Sequence, residues 1–237
     1  MTYPGGKGGA GVAQWIINQM PPHSTYVEAF AGGAAVLRAK KPARSSIVID
    51  ADEHVCTALA DVAGHGVTVV CGDAISWLES NPLPADALVY CDPPYLRSSR
   101  RSARDLYKFE MTDLEHRRLL RCLLALKCFV LVSGYWSSLY VEMLAAWRTS
   151  TFQTRTRGGG MATEWLWMNY PEPIELHDYR YLGANFRERE RIKRKRNRWL
   201  SRLASMPPIE RYAMMSALGE LRDRLAVGDD AGPHRQE

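Results

Sequence analysis

Short apolar runs alternate with amphipathic segments along the first 177 residues of the chain. The apolar runs are rich in β-branched residues and predict strands at 26–30, 46–50, 67–71, 87–91 and 128–133. The segments between them predict helices at 34–41, 53–63, 74–79, 112–126 and 138–146. Strands that alternate with helices predict a mainly parallel, doubly wound α/β sheet. Two further runs, 152–157 and 165–170, predict a terminal antiparallel pair around the glycines at 158–160.

The pattern changes near residue 177. Residues 185–203 predict a long helix dominated by charge, Pro207 and Pro208 interrupt it, and residues 209–225 predict a second helix. Residues 1–177 hold 17 Lys/Arg and 17 Asp/Glu, whereas residues 178–237 hold 14 and 9. The surplus of positive charge is therefore confined to the C-terminal quarter. This predicts a neutral α/β domain at 1–177 and a basic helical extension at 178–237. The extension is expected to bind a polyanion, and nucleic acid is favoured over a membrane surface.

Composition excludes several classes of protein. Hydrophobic residues make up 46% of the chain, which is enough for a core, and no apolar run is long enough to span a membrane. The first ten residues lack the apolar region of a signal peptide. None of the five cysteines forms a C-x-x-C pair or a zinc-like cluster, so we expect buried, reduced thiols, no metal and a cytoplasmic protein.

Four of the predicted strands end in residues suited to ligand binding. Gly32 and Gly33 follow the first strand, and Asp50, Asp73 and Asp92 follow or end the next three. In doubly wound sheets, ligands bind beyond the carboxyl ends of the strands. The sequence therefore predicts one site at this edge of the sheet.

Asp92-Pro93-Pro94-Tyr95 is the strongest chemical signal. The exocyclic amine of adenine is a poor nucleophile, so methyl transfer to it needs acceptors for its two N–H hydrogens. The Asp92 carboxylate and the Pro93 carbonyl can supply them, since prolines stiffen the backbone, and Tyr95 offers a face on which an extruded base can stack. A sulfonium methyl donor requires no metal or covalent nucleophile, so positioning and electrostatics carry the catalysis. The alternative is an ordinary rigid turn.

The other strand ends each have two interpretations. Phe30 to Gly33 is either a loop that lets a cofactor approach the backbone or a plain tight turn. Asp50 suits ribose hydroxyls, but it or Asp52 could instead cap the following helix. Asp73 could accept from a cofactor adenine amine or cap its own helix.

Together these motifs resemble the Dam-like adenine-N6 DNA methyltransferases over roughly residues 3–170. The resemblance implies a Rossmann-like fold that binds S-adenosylmethionine. It matches Tyr3 and Lys7, in a segment otherwise read as a flexible terminus, to an aromatic and a lysine that contact this cofactor. It likewise matches 30–33 to the cofactor loop, Asp50 to a cofactor-binding acid and 92–95 to the catalytic motif, with Asp92 also near the methionine amino group.

Two departures from this family matter. Ala29 and Ala34 stand where many relatives look to have Pro and Gly, which keeps the loop small. Only the 18 residues from Ala74 to Cys91 separate Asp73 from Asp92, too few for the target-recognition domain of the Dam type. The chain is thus similar to compact, often phage-borne members, and its target sequence stays open.

Two basic segments could contact DNA in place of that domain. The first, residues 96–108, follows Tyr95 directly, and a solvated loop is its alternative interpretation. The second is the charged helix at residues 185–202, where a solubilising surface is the alternative to phosphate contact. The predicted DNA-binding residues are Arg97, Arg100, Arg101, Arg104, Lys108, Arg187, Arg191, Arg194, Lys195 and Arg198.

The sequence therefore predicts an enzyme that methylates adenine N6 in double-stranded DNA by base flipping, in a bacterial or phage-infected cytoplasm. Aspartate at position 92 favours adenine over cytosine N4, for which serine is usual. RNA adenine methylation and a non-catalytic DNA-binding protein on the same scaffold are the alternatives. A restriction nuclease is a candidate partner, and the oligomeric state stays open.

Overall fold

The computed structural model of the protein describes Lys7 and residues 11–64, 66–99, 109–155 and 160–228. Contacts divide the chain into two compact units, residues 1–181 and 182–237. Residues 178–181 are bound to the first unit, and the boundary expected at residue 177 stays a prediction. The Lys41 amide donates to Asp178 Oδ2 (2.8 Å), and the Tyr181 hydroxyl donates to the Ala39 carbonyl (3.1 Å).

The first unit is built on a seven-stranded sheet in the order β3-β2-β1-β4-β5-β7-β6. Five strands are parallel, and β7 lies antiparallel to both β5 and β6. This confirms the predicted Rossmann-like sheet with a terminal antiparallel pair. The strands are β1 (Thr25–Ala29), β2 (Ser45–Asp50), β3 (Val67–Cys71), β4 (Ala87–Cys91), β5 (Phe129–Gly134), β6 (Arg148–Arg155) and β7 (Met161–Met168).

Six helices formed by the described residues of the first unit pack against this sheet. They are α1 (Val12–Ile17), α2 (Ala35–Ala39), α3 (Glu53–Ala58), α4 (Ala74–Ser80), α5 (Asp113–Ala125) and α6 (Ser138–Met143), with short 3₁₀ turns at Leu59–Asp61 and Arg97–Ser99. The Thr112 hydroxyl accepts from the Glu115 amide (3.2 Å) and Glu115 accepts from the Thr112 amide (2.7 Å). This capping box begins α5 where the sequence predicts it.

The core lies on both faces of the sheet because successive strand residues point to opposite sides. In β4, Val89 and Cys91 join a cluster with α4, α5 and α6, whereas Leu88 and Tyr90 join one with α1 and α2. All five β4 residues are buried. The sequence of a strand that is buried on both faces is a continuous apolar run. For this reason the predicted end of β4 agrees with the end in the structure.

Two elements differ from the sequence-based expectation. Helix α1 was not predicted, because its six residues are too few to display a helical period. The antiparallel pair begins four residues earlier on each strand than predicted, at Arg148 and Met161 instead of 152 and 165. Its register pairs Arg155 with Met161. Residues 156 and 157 of the predicted strand and 158 and 159 of the predicted turn lie outside the described residues.

The described residues of the second unit form two helices, α7 (Phe186–Ala204) and α8 (Pro208–Gly228). Asn185 caps α7 by accepting from the Glu188 amide (3.0 Å). Pro208 opens α8, because a proline is tolerated in the first turn of a helix but not in its interior. Within the described part of the chain, no helix is both long and apolar enough to cross a membrane.

Candidate active site

The strand order places the site where the chain reverses direction across the sheet. The chain runs outward from β1 to β3 and returns to β4, which lies on the other side of β1. Ala29 and Cys91 are register partners at the ends of these neighbouring strands. Phe30 and Asp92 therefore begin two loops that diverge from the same point, and a crevice opens between such loops.

The loop after β1 has an unusual backbone. Phe30, Gly32 and Ala34 have φ angles of 59°, 49° and 49°, in the left-handed region that non-glycine residues rarely adopt. The Ala31 amide donates to the Ile49 carbonyl (3.0 Å) and the Ala34 amide to the Ala31 carbonyl (2.7 Å), which holds the turn closed. Each non-glycine residue in this region costs on the order of 1 kcal/mol, so the surrounding contacts must compensate.

Asp50, the last residue of β2, is tied to this loop. Its Oδ2 accepts from the Gly32 amide (2.8 Å) and its Oδ1 accepts from the Asp52 amide (2.9 Å). Asp52 is the residue that caps α3, through the His54 amide (3.0 Å). Burial raises the pKa of Asp50, against the lowering effect of the two amides. The capping alternative therefore belongs to Asp52, and Asp50 is left facing the crevice.

Asp73 follows β3 and caps α4. It accepts from the Ile75 amide (3.0 Å) and the Ser76 hydroxyl (2.8 Å), and Arg118 of α5 lies 3.3 Å away. Although burial raises the pKa of Asp73, these donors and the Arg118 charge hold it below its ordinary value. The capping interpretation is thus observed, and the same carboxylate also lines the cavity described next.

A cavity of about 260 Å³ occupies the crevice. It is bounded by the loop after β1, by the ends of β2, β3 and β4, and by the segment that leads into α5. Its wall mixes carboxylates with aromatic and aliphatic side chains. Lining residues include Lys7, Glu28, Phe30, Gly32, Gly33, Asp50, Asp73, Ile75, Asp92, Pro94, Phe109 and Met111.

Asp92 lies at the end of β4 with one oxygen held by two donors. Its Oδ1 is 2.9 Å from Lys7 Nζ and accepts from the Ser133 hydroxyl at 2.7 Å. Ser133 sits on the neighbouring strand β5 and also contacts the Tyr90 hydroxyl at 3.0 Å. The carboxylate is therefore fixed in position, at 18% side-chain exposure, on the wall of the cavity.

Glu164 of β7 completes this cluster, and sequence reasoning missed it. Its Oε2 lies 3.0 Å from Lys7 Nζ and accepts from the Tyr95 hydroxyl at 2.9 Å. Lys7 also donates to the Tyr95 hydroxyl. Although burial lowers the pKa of Lys7, Asp92 and Glu164 together raise it well above its ordinary value. Lys7 is therefore a buried ammonium bound between two carboxylates.

Comparison with known proteins finds a family that resembles part of this site. Residues 57–144, which include the Asp92–Tyr95 motif, match the family described as D12 class N6 adenine-specific DNA methyltransferases. The match covers 88 of the 237 residues, and this segment is similar to that family. The match confirms the predicted adenine-specific DNA methyltransferase, although the compact, phage-type assignment stays a prediction. No curated protein matches the sequence.

Solved structures similar to this methyltransferase are distant. The 23S rRNA methyltransferase ErmE is 14% identical, with 81% of this chain and 84% of that one covered and a TM-score of 0.46. Precorrin-6y C5,15-methyltransferase from Geobacter metallireducens is 12% identical, with 66% of this chain and 85% of that one covered and a TM-score of 0.44. The putative methyltransferase SMU.1697c from Streptococcus mutans, in complex with SAH, is 8% identical, with 66% of this chain and 95% of that one covered and a TM-score of 0.44.

The methyltransferase motif is not fully open to the cavity. Pro94 lines the cavity, whereas Pro93 is buried. Tyr95 is only 6% exposed. Its ring and that of Tyr135 pack edge to face with centroids 4.6 Å apart, and Lys7 Nζ lies 4.9 Å from the Tyr95 centroid. Stacking of a base on Tyr95 therefore requires the ring to become accessible. Roles for Pro93 and Tyr95 stay predictions.

Glu28 is a second carboxyl of the methyltransferase site that the sequence left unassigned. It lies in β1, lines the cavity and is 3% exposed. Its Oε2 accepts from the Tyr26 hydroxyl (2.9 Å) and the Leu37 amide (2.8 Å). Burial raises the pKa of Glu28 to about 7, against the lowering effect of these donors. Its position two residues before Phe30 on a predicted strand was the one available signal.

The described residues that were predicted to bind DNA fall into two groups, apart from Lys195, which lies on α7 but does not line the groove described here. Arg97 is exposed in the 3₁₀ turn after the catalytic motif. On α7, four predicted arginines recur at intervals of four, three and four residues and line one groove together with Phe186 and Glu190. We call this line the arginine stripe; it consists of Arg187, Arg191, Arg194 and Arg198.

Some predicted site residues lie outside the described part of the chain. Tyr3 of the cofactor group is one, and the others are the basic residues Arg100, Arg101, Arg104 and Lys108. Of the predicted cofactor residues that are described, all line one cavity: Lys7, Phe30, Gly32, Gly33, Asp50, Asp73 and Asp92. Their roles in binding stay predictions.

Proposed function

We propose that the protein transfers a methyl group from S-adenosylmethionine to N6 of an adenine that is flipped out of double-stranded DNA. The observation that carries this proposal is the Asp92 carboxylate, held on the wall of a cavity that lies at the reversal point of the sheet. The family match supports adenine as the base and DNA as the polymer. A cytoplasmic location and a restriction nuclease partner remain predictions.

The cavity residues fit a nucleoside cofactor. The Asp50 carboxylate suits two ribose hydroxyls, and Phe30 and Ile75 offer apolar surfaces for a purine ring. A side-chain atom added at Gly33 would meet nothing within 4 Å, so bare backbone forms that part of the wall. When bound, S-adenosylmethionine supplies an electrophilic methyl group on its sulfonium.

Asp92 acts as acceptor for the target amine. A hydrogen bond from one N–H of the amine to Asp92 makes the adenine nitrogen more tetrahedral and more nucleophilic. The carboxylate also stabilises the positive charge that develops on that nitrogen. Ser133 and Lys7 both contact Oδ1, so Oδ2 is the oxygen left for the amine. The Pro93 carbonyl is the second acceptor that we propose.

Lys7 and Glu164 together with Asp92 determine the net charge that the target amine meets. A lysine bound to Asp92 alone would neutralise the carboxylate and weaken it as an acceptor. Because Glu164 shares the same ammonium at 3.0 Å, the three groups together carry one net negative charge. That charge is available to the amine, which becomes cationic as the methyl group is transferred.

Methyl transfer from labelled S-adenosylmethionine to unmethylated DNA tests the proposal. We expect labelled N6-methyladenine, identified by nucleoside mass spectrometry, and loss of at least about a hundredfold in rate for Asp92→Ala. Asp113→Asn, at an exposed carboxylate that begins α5, is the control and should retain full activity. Label in cytosine, preference for RNA over DNA, or no transfer by the wild type would each refute the proposal.

The arginine stripe of α7 provides phosphate contacts in this proposal. At 100° per residue its four side chains fall within an arc of about 60°. Helix α7 carries nine Lys/Arg and two Asp/Glu, and the ion pairs from Arg191 to Glu188 (3.5 Å) and Lys193 to Glu190 (3.7 Å) leave most of the positive charge unneutralised. Charge of this density on one helix favours a polyanion and gives affinity without sequence information.

Salt titration of DNA binding tests the stripe with two charge-matched triple variants. Replacing Arg187, Arg191 and Arg194 by Gln should lower the slope of log K against log salt by up to about 2.7, because each phosphate contact contributes about 0.9. The control replaces Arg189, Lys193 and Arg196, which lie on the opposite face, and should lower the slope by less than about 1. Equal slopes for the two variants would exclude a face-specific phosphate contact.

A further inference from the structure

Strands β6 and β7 continue beyond the edge of the sheet that carries the active site. The last register pair between β5 and β7 joins Gly134 to Trp165, whereas β7 begins four residues earlier, at Met161. Residues 161–164 of β7 pair with residues 152–155 of β6. We call this two-stranded segment the ribbon. At about 3.4 Å per residue, it extends about 14 Å past the end of β5.

The base of the ribbon belongs to the catalytic cluster. Glu164 is the ribbon residue next to the sheet, and its Oε2 contacts Lys7 Nζ (3.0 Å) and the Tyr95 hydroxyl (2.9 Å). Lys7 in turn lies 2.9 Å from Asp92 Oδ1. A duplex whose flipped adenine reaches Asp92 must lie beyond this edge of the sheet, because the strands occupy the other side. The base pairs that flank the target therefore come next to the ribbon.

The ribbon has two faces, because successive strand residues point to opposite sides. On one face, the Phe152 ring packs against Trp15 of α1, with centroids 6.5 Å apart. The described residues of the opposite face are exposed, with Met161 at 52%. On this face, Gln153 and Thr163 are register partners, and Gln153 Nε2 donates to Thr163 Oγ1 at 2.8 Å. The ribbon thus presents an ordered amide to solvent beside the active site.

The chemistry of this exposed face suits base edges better than phosphates. Gln153, Met161 and Thr163 carry no charge, so they neutralise no phosphate, whereas a glutamine amide pairs with N6 and N7 of adenine in the major groove. An amide nitrogen has two hydrogens, so the bond to Thr163 orients Gln153 and leaves its second N–H for a base. The major groove is about 12 Å wide and admits a two-stranded ribbon.

We propose that the ribbon enters the major groove beside the flipped adenine and that Gln153 recognises an adenine in a flanking base pair. This inference rests on the proposed function in one respect, that DNA is the substrate. It assigns sequence recognition to the first unit and leaves phosphate contact to the arginine stripe. The short spacing between Asp73 and Asp92 leaves no room for a recognition domain, and the ribbon supplies that function from the end of the sheet.

Selection of bound duplexes from a random-sequence library tests the ribbon without methyl transfer. We expect the wild type to enrich a motif, and Gln153→Ala to lose at least about tenfold of the preference at one A·T pair. The slope of affinity against salt should not change, since no phosphate contact is removed. Thr149→Ala is the control, because Thr149 is exposed on the same strand but pairs with Trp167 inside the sheet. It should enrich the wild-type motif.

A modified base then identifies the groove. In the enriched duplex, 7-deazaadenine at the affected pair lacks the N7 acceptor of the major groove. We expect this base to weaken binding by the wild type at least about fivefold and to leave binding by Gln153→Ala unchanged, because the variant has already lost the contact.

Three results would overturn the role of the ribbon. They are a wild type that binds without sequence preference, an unchanged motif in Gln153→Ala, and an equal effect of the modified base on both proteins. The proposed function fails separately. A wild type that enriches the motif but transfers no methyl group to it would refute methylation and support the ribbon, whereas adenine methylation without any sequence preference would do the reverse.

Discussion

The buried carboxyl of Glu28 makes the stability of this protein depend on pH in a calculable way. Glu28 is 3% exposed, and its Oε2 accepts from Tyr26 and Leu37. Burial raises its pKa from 4.5 to about 7. Between these two values the folded state holds a proton that the unfolded state has released, so stability falls as pH rises through this window and is fully retained below pH 4.5.

The change Glu28→Gln removes this dependence. Each pH step of one within the window costs about 1.4 kcal/mol, so the ionised carboxyl destabilises the wild type by about 3 kcal/mol above pH 7. A glutamine oxygen can accept the same two hydrogen bonds and carries no charge. The variant should therefore match the wild type near pH 4.5 and exceed it by about 3 kcal/mol at pH 8.

Urea unfolding of both proteins at pH 5, 6, 7 and 8 measures this difference. The difference between the two proteins is the informative quantity, since His23 titrates with the opposite sign in part of the same range. Glu142→Gln, at an exposed position on α6, is the control and should follow the wild type at every pH. A constant difference between the Glu28 variant and the wild type from pH 5 to 8 would refute the reasoning.

Three further predictions concern other parts of the fold. Burial lowers the pKa of His23 from 6.5 to about 3, so the unfolded state binds a proton at a higher pH than the folded state does. The stability of the wild type therefore falls as pH drops through this window, by roughly 3 kcal/mol between pH 6.5 and 4. The difference in urea stability between His23→Gln and the wild type should shift in favour of the variant by that amount, and a constant difference would contradict this. The change Glu164→Gln leaves Asp92 as the one charged partner of Lys7 in this cluster. It should slow single-turnover methylation about tenfold with little change in the KM for the cofactor, and an unchanged rate would show that Glu164 has no part in the mechanism. Thr112→Ala should cost about 1 kcal/mol of unfolding free energy and Thr112→Ser much less, whereas equal losses would argue against the capping box as the cause.

The local sequence pattern was sufficient to predict much of the sheet and the residues of the site that lie at strand ends. The run from Ala87 to Cys91 is apolar throughout because β4 is buried on both faces, and its end at Asp92 follows directly. Parallel strands bring their carboxyl ends to one edge, so Gly33, Asp50, Asp73 and Asp92 could be assigned to a common site before any distance was known. The start of α5 was equally evident, since a capping box involves residues only three apart.

Only the tertiary structure decided how the carboxylates of the site are partnered. Tyr95 meets Lys7 across 88 residues of sequence and Glu164 across 69, and no local period encodes such contacts. The choice between Asp50 and Asp52 as helix cap likewise depended on which carboxylate the fold turned toward the Gly32 amide. Sequence by itself thus determines which residues can do the chemistry, through burial and spacing along each element. The packing of strands distant in the chain determines the charge and hydrogen bonding that each of those residues experiences.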